Sequence, residues 1–345
     1  MTKAAELAKM GEVLTNSQIG GRRNIIINGA MQVAQRGTSA SSKTTSDYFT
    51  CDRWRTEASG ATYNTSQQTN SASDMATTGA EHFLRMEVTT GNNNSGISQK
   101  IEAQNIKQFK GEKLTLSFYA KGTNPNGGSF NINRFFSDDV NPSSTGENSS
   151  LTVTSSWVKY TYTFDYPDEG SVDMTLNTAK MALSFLQPPG DTSTNAWTLD
   201  LTAVQLEVGS QATPFEHRSF GEELALCERY FQKHFGTTDA SYYTAYAGMH
   251  WGLNTLFMSL NLRQIMRAEP SASILNKDGT SKTGDVGLVA GNGSNDGFNA
   301  GNMTLQIGHD GVVTFTIGLD YNPSTTHAHN VYFDNTTRIH FDAEL

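Results

Sequence analysis

A chain of 345 residues is long enough for two domains, each burying its own core. The net charge of -9, with no clustered Lys and Arg, excludes a surface built to neutralise nucleic-acid phosphates. Charged residues make up only 17%, with Ser, Thr, Asn and Gly in their place, yet aromatics stay at 10%, which keeps the chain out of the disordered class.

Residues 1–15 read as a short helix, with Leu7, Met10 and Leu14 at i, i+3, i+7, Thr2 as N-cap and Gly11 weakening the middle. The segment has no apolar h-region, so it is not expected to be a secretory signal. A lone helix of this length is marginal in water, and its stripe is expected to pack against sister chains or a larger assembly. Gly20-Gly21 marks a linker, which closes a first region at 1–23.

From 24 to 217 the pattern is all-β, with no helix expected. Leu114 to Ala120, Trp157 to Phe164 and Trp197 to Ala203 alternate apolar and polar residues, and turn-rich stretches such as Asn124-Pro125-Asn126-Gly127-Gly128 separate them. The spacing predicts a two-sheet sandwich of the jelly-roll kind, with Trp54, Trp157 and Trp197 in its core. Next comes a connecting helix, announced by the capping box Ser219 and Glu222. Phe220, Leu224, Cys227, Phe231 and Phe235 share one helical face; Lys233 and His234 fall in the last turn, and Gly236 closes it. Cys227 reads as a small buried hydrophobe.

The region 218–345 therefore begins with this helix and continues as a smaller C-terminal β-domain. Leu256, Met258, Leu260 and Leu262 point one way along a strand, and Asn276-Lys277-Asp278-Gly279 and His309-Asp310-Gly311 read as hairpin turns. No repeat of 20–50 residues is present, which weighs against a β-helix or propeller. No apolar run reaches the roughly 20 residues that cross a bilayer, and the two cysteines have no metal-ligand spacing. The fold class is mainly β: a jelly-roll sandwich, one connecting helix, a smaller β-domain and a short N-terminal helix.

Two sets of residues carry resemblances. Asn24-Ile25-Ile26-Ile27-Asn28-Gly29, Asp52-Arg53-Trp54, Leu116 to Gly122 and Asp200 to Glu207 resemble, in that order, the jelly roll of carbohydrate-binding modules. Gln205-Leu206-Glu207-Val208-Gly209, Thr213 to Ser219, Cys227 to Phe231, Met266 to Ser271 and Asp342 to Leu345 are similar to blocks of phage tail-fibre and virion structural proteins. The second resemblance implies a homotrimeric virion appendage, assembled in the host cytoplasm, attached to other virion proteins by its N-terminal helix and touching a host cell-surface glycan. A head fibre, collar or capsid decoration protein is the alternative. Neither reading involves nucleic acid, membrane insertion or catalysis.

Sugar-binding jelly rolls stack aromatic rings on sugars, and Tyr63 and Tyr160 are the candidates expected to be wet, with Tyr162 beside them. In the C-terminal domain, Tyr242 and Tyr246 share one face of a strand whose other face looks apolar, and offer rigid contact surface for a receptor. His327-Ala328-His329 points both imidazoles the same way if extended. On a threefold axis such pairs suit a transition metal; the motif resembles iron-gripping tail-fibre tips, although Thr325 stands where those usually carry Gly. The jelly-roll resemblance also implies a structural calcium, for which Asp200 is the matching acid. Asp138-Asp139, Asp168-Glu169 and Glu222-Glu223 are adjacent, not spaced as an acid/base couple, and Gly291 to Gly297 opens no helix that could cradle a phosphate.

Overall fold

A computed structural model describes residues 23–90, 95–125, 128–140, 146–187, 196–234, 244–250, 255–276, 280–282, 285–291, 294–299, 303–307, 312–318, 329–333 and 337–345. The expected N-terminal helix lies outside them. The protein is mainly β and divides into two compact units, Met1–Leu224 with Leu345, and Ala225–Glu344.

The first unit is a sandwich of two antiparallel sheets. Its strands are β1 (Ser39–Lys43), β2 (Arg55–Glu57), β3 (Thr62–Thr69), β4 (His82–Thr90), β5 (Gly96–Glu102), β6 (Lys113–Thr123), β7 (Phe130–Ser137), β8 (Glu147–Leu151), β9 (Val158–Asp165), β10 (Lys180–Leu186) and β11 (Trp197–Val208). One sheet runs β1-β3-β4-β11-β6-β9 and the other β2-β5-β10-β7-β8, so most neighbours are distant in sequence, as in a jelly roll. Alternation in each strand sends one set of side chains inward: Leu114, Leu116, Phe118 and Ala120 from β6 meet Met181, Leu183 and Phe185 from β10 and Phe130, Ile132 and Phe136 from β7. Trp54 and Trp197 lie in this core, each 1% exposed.

The opening residues 24–29 form no strand of their own. Two backbone bonds tie them to β11, Ile25 N donating to Leu206 O at 2.9 Å and Val204 N to Gly29 O at 3.0 Å. The Asn24 side chain adds two more: its Oδ1 accepts from Leu206 N at 3.0 Å and its Nδ2 donates to Val204 O at 3.0 Å. Gly29 is fixed by this closeness, since a Cβ there would sit 2.2 Å from Val204 O.

Two short helices interrupt the expected all-β stretch. α1 (Ala72–Thr78) starts on Ser71, whose hydroxyl accepts from Asp74 N, and stops at Gly79 in the left-handed region. α2 (Ala103–Ile106) is a single turn. Both are too brief to show a helical period, which is why the pattern read as loop.

α3 (Phe220–Glu228) has the expected capping box: Ser219 Oγ accepts from Glu222 N at 3.3 Å, and Glu222 Oε2 accepts from Ser219 N at 2.9 Å. It ends sooner than the apolar spacing predicts. Phe231–His234 is a strand, β12, paired with Arg338–Asp342; the ladder outweighs a weak helical preference in that aromatic stretch. Phe220, expected on the apolar face, is 56% exposed, while Cys227 is fully buried.

The other strands of the second unit are β13 (Thr244–His250), β14 (Thr255–Asn261), β15 (Ser271–Leu275), β16 (Asp285–Gly291), β17 (Ser294–Asn299), β18 (Met303–Ile307), β19 (Val312–Gly318), β20 (His329–Phe333) and β21 (Arg338–Asp342). They form a three-stranded sheet, β12-β21-β15, and a seven-stranded one, β17-β16-β20-β13-β14-β19-β18. Leu256, Met258 and Leu260 enter its core, as their alternation predicts, with Val313, Phe315 and Ile317. Both expected hairpin turns lie largely outside the described residues.

His234 is buried in this unit, with Nε2 3.0 Å from Gln232 Oε1. Burial, and then the nearby positive charge of Arg263, pulls its pKa down to about 4 from 6.5. Between those values the unfolded chain holds the proton and the folded chain does not. The His234 contribution to stability should therefore fall as pH drops from 6.5 towards 4, by up to about 3 kcal/mol, and stay flat above pH 7. Urea unfolding at pH 7 and pH 4.5 checks this: His234→Gln should remove most of the difference, and an equal drop in both proteins would refute the assignment.

Candidate functional site: the outward face of the five-stranded sheet

The pleat that buries Ile97, Met181, Leu183, Phe185 and Ile132 turns the intervening residues outward. Register aligns them into rows across the sheet. One row is Arg55, Ser98, Ser184, Asn133 and Asn148; a second is Glu57, Gly96, Leu186, Asn131 and Ser150; a third is Lys100, Ala182 and Phe135. At the usual strand spacing, five residues span roughly 19 Å.

The rows are low in the middle and tall at the sides. Ser98, Ser184 and Ala182 on the two central strands are small and 1%, 4% and 5% exposed. Gly96 is smaller still, and a Cβ there would meet Phe185 O at 2.0 Å. Arg55 on β2 stands on one side and Phe135 and Asn133 on β7 on the other, with Lys100 two residues along β5 from Ser98. The result is a trough with a polar floor.

Its groups are held in place. Arg55 pairs with Glu57 at 2.5 Å, and Ser98 Oγ donates to the other Glu57 oxygen at 2.6 Å. Burial, followed by the charge of Arg55, brings Lys100 down to about 8 from 10.5. Asn133 Oδ1 is shielded from solvent and has no hydrogen-bond partner. Chemically the trough offers amide, hydroxyl and guanidinium groups beside the apolar surfaces of Phe135 and Leu186. That combination can read ring hydroxyls and cover the C–H face of a sugar.

Among the described residues of this unit, none singled out from sequence lies here. Tyr63 is a correction: it is fully buried, because β3 turns Tyr63 and Thr65 inward, and its hydroxyl contacts Thr56 Oγ1 at 2.7 Å and donates to Thr45 O at 2.7 Å. Tyr160 is part-buried. It stacks on Phe118 at 5.6 Å and its hydroxyl donates to Thr152 O at 2.7 Å; Tyr162 does the same towards Ser150 O at 2.9 Å. Both tyrosines pack against the core from the edge strand β9. Trp157 is a second correction, since it has the opposite parity to the inward Tyr160, Tyr162 and Phe164 and stays part-exposed.

Asp200 is 1% exposed, and both its oxygens accept from Arg85, each at 2.7 Å. A bidentate guanidinium thus engages both oxygens of the acid expected to bind calcium. Tyr242 and His327 lie outside the described residues, and Tyr246 and His329 are placed only as members of β13 and β20. The trough residues carried one sequence signal, the alternation of Phe130 to Ser137, but a single strand does not reveal which partners it meets.

Fold and face together define a β-sandwich of the jelly-roll type with a polar, aromatic-edged outer surface. No family model matches the chain, and neither does any curated protein. Among solved structures it is similar to the crystal structure of the enzymatically active domain of bacteriophage CBA120 tailspike protein 4, at 12% identity and a TM-score of 0.34, over 54% of this chain and 21% of the other. The match therefore spans about a fifth of that tailspike chain. The family 11 carbohydrate-binding module of a Clostridium thermocellum cellulosomal cellulase matches at 13% identity and 0.32, over 50% and 97% of the two chains. The module TmCBM61, solved with β-1,4-galactotriose, matches at 12% and 0.29, over 55% and 100%. The architecture rests on the strand pairing itself.

Proposed function

We propose that the chain is a bacteriophage virion appendage that adheres to a host-surface glycan through the trough on its five-stranded sheet. The observation that carries this reading is the row Arg55, Ser98, Ser184, Asn133, Asn148, which aligns hydrogen-bonding side chains across five strands beside Phe135. The phage-like blocks from Gln205 onwards support the virion location, the homotrimer and attachment to other virion proteins. Weak single sites then gain strength by repetition in the particle.

The reading contains no catalytic step, and the adjacent carboxylates support it by their structural work. Asp138 holds Val140 N at 2.7 Å and Asp173 N at 2.9 Å, Glu169 takes Lys110 Nζ at 2.5 Å and Tyr166 Oη at 3.0 Å, and Glu222 caps α3.

The paired change Asn133→Ala and Phe135→Ala should weaken binding to immobilised host polysaccharide by about tenfold or more, with an unchanged melting temperature. Surface plasmon resonance measures this. Purified protein that binds neither host cells nor their polysaccharide would refute adhesion and favour a head fibre, collar or decoration role.

A further inference from the structure

We infer that the opposite side of the sandwich, the outward face of the six-stranded sheet, is a second carbohydrate surface that takes a neutral hexose oligosaccharide. It shares no residue with the trough and stands independently of it.

Register places Ser66, Arg85, Asp200 and Lys121 side by side across β3, β4, β11 and β6, so charges alternate in sign along the row. Trp157 lies just beyond Lys121, whose ammonium sits 4.6 Å from the indole centre and 5.3 Å from that of Phe83. Phe83 meets Trp157 edge to face at 5.3 Å and carries the Arg85 guanidinium 5.5 Å from its own centre. Asp74, at the start of α1, reaches Lys121 at 3.5 Å.

This is more than a solvated sheet face. Each cation is fixed twice, by a ring and by a carboxylate, so the array is rigid before any ligand arrives. It still opens to water: the Arg85 side chain is 40% exposed and that of Lys121 is 19% exposed. Trp157 is part-exposed beside them. A large amphipathic ring next to anchored donors is what stacks on a sugar while its hydroxyls are read.

Charge selects the ligand. Arg85 and Lys121 are balanced by Asp200 and Asp74, and Glu87 stands exposed beside Arg85 on the next outward position of β4. Lys159, exposed across from Tyr119 on the same face, is a third cation. Arg85, Lys121 and Lys159 are thus matched by Asp200, Asp74 and Glu87, and an anionic sugar meets no net attraction. A neutral polyol needs none and finds donors and acceptors in place.

Trp54 and Trp197 are 1% exposed, so among the described tryptophans only Trp157 reports on solvent. The test titrates the full chain with neutral hexasaccharides of glucose, galactose or mannose, following tryptophan emission and heat. Wild type should show a saturable emission change with at least one sugar. Asn133→Ala with Phe135→Ala should retain it, and Trp157→Ala should weaken calorimetric binding of that sugar by about tenfold. Wild-type affinity in Trp157→Ala, loss of all binding in the trough variant, or no response to any sugar would each overturn the second surface. Loss confined to the trough variant would leave the first reading standing alone.

Discussion

Replacing Arg218 by Met should cost the first unit about 3–5 kcal/mol, the usual effect of removing one partner from a buried charge network. The Arg218 side chain is 6% exposed; Nη1 donates to Ile26 O at 3.0 Å and Nη2 to Asn24 O. The same two nitrogens lie 3.3 Å from Glu223 Oε1 and 3.5 Å from Glu216 Oε2. Those carboxylates in turn hold the opening backbone, Glu223 at Asn28 N and Glu216 at Asn24 N, each at 2.5 Å. Without the guanidinium, two carbonyls and two acidic groups face one another across a closed space. Urea unfolding should show a lower midpoint with an unchanged slope. Adding Glu223→Gln should recover part of the loss, because it removes one of the stranded charges. A cost below about 1 kcal/mol would mean that water reaches the network and screens it.

Trp54→Ala should be comparably severe, about 3–5 kcal/mol, through the cavity left in a core that cannot collapse around it. The indole is 1% exposed and its Nε1 donates to Asn28 O at 2.9 Å, so it both fills the core and fixes the opening turn. Trp54→Phe separates these roles. It keeps most of the ring but orphans the carbonyl, and should cost about 1–3 kcal/mol. The same truncation at part-exposed Trp157 should be far milder, and thermal melts of the three variants test the order. Equal losses at Trp54 and Trp157 would contradict the opposite parities of the two residues.

Those parities also mark how far the sequence could be read. Local signals survive well: the alternation of Leu114 to Ala120 and of Leu256 to Leu262 places the right side chains in the cores, and the Ser219–Glu222 capping box is present atom for atom. Trp157 defeated the reading because it stands one residue before β9, where apolar neighbours suggest burial but the pleat sends it outward. Tyr63 failed the opposite way. Polar Thr62, Asn64 and Ser66 surround it, and only the packing of a second sheet makes its side the inside. Phe231 to His234 looked helical until β21, about 100 residues later, offered a ladder. The candidate surfaces are of the same kind: Arg55, Ser98, Ser184 and Asn133 become neighbours only through register between strands far apart in the chain.

The clasp made by Asn24, Arg218 and Glu223 has a consequence for synthesis. Its hydrogen bonds join residues 180 to 195 positions apart. On the ribosome the opening segment leaves first, yet its partners are translated roughly 10 to 40 s later at ordinary elongation rates. Until then Ile26 and Trp54 lack the strand that covers them, and the half-made sandwich exposes apolar surface and unpaired strand edges. High contact order slows closure further. The sandwich therefore closes only once residues 204–223 have emerged to pair with residues 24–29.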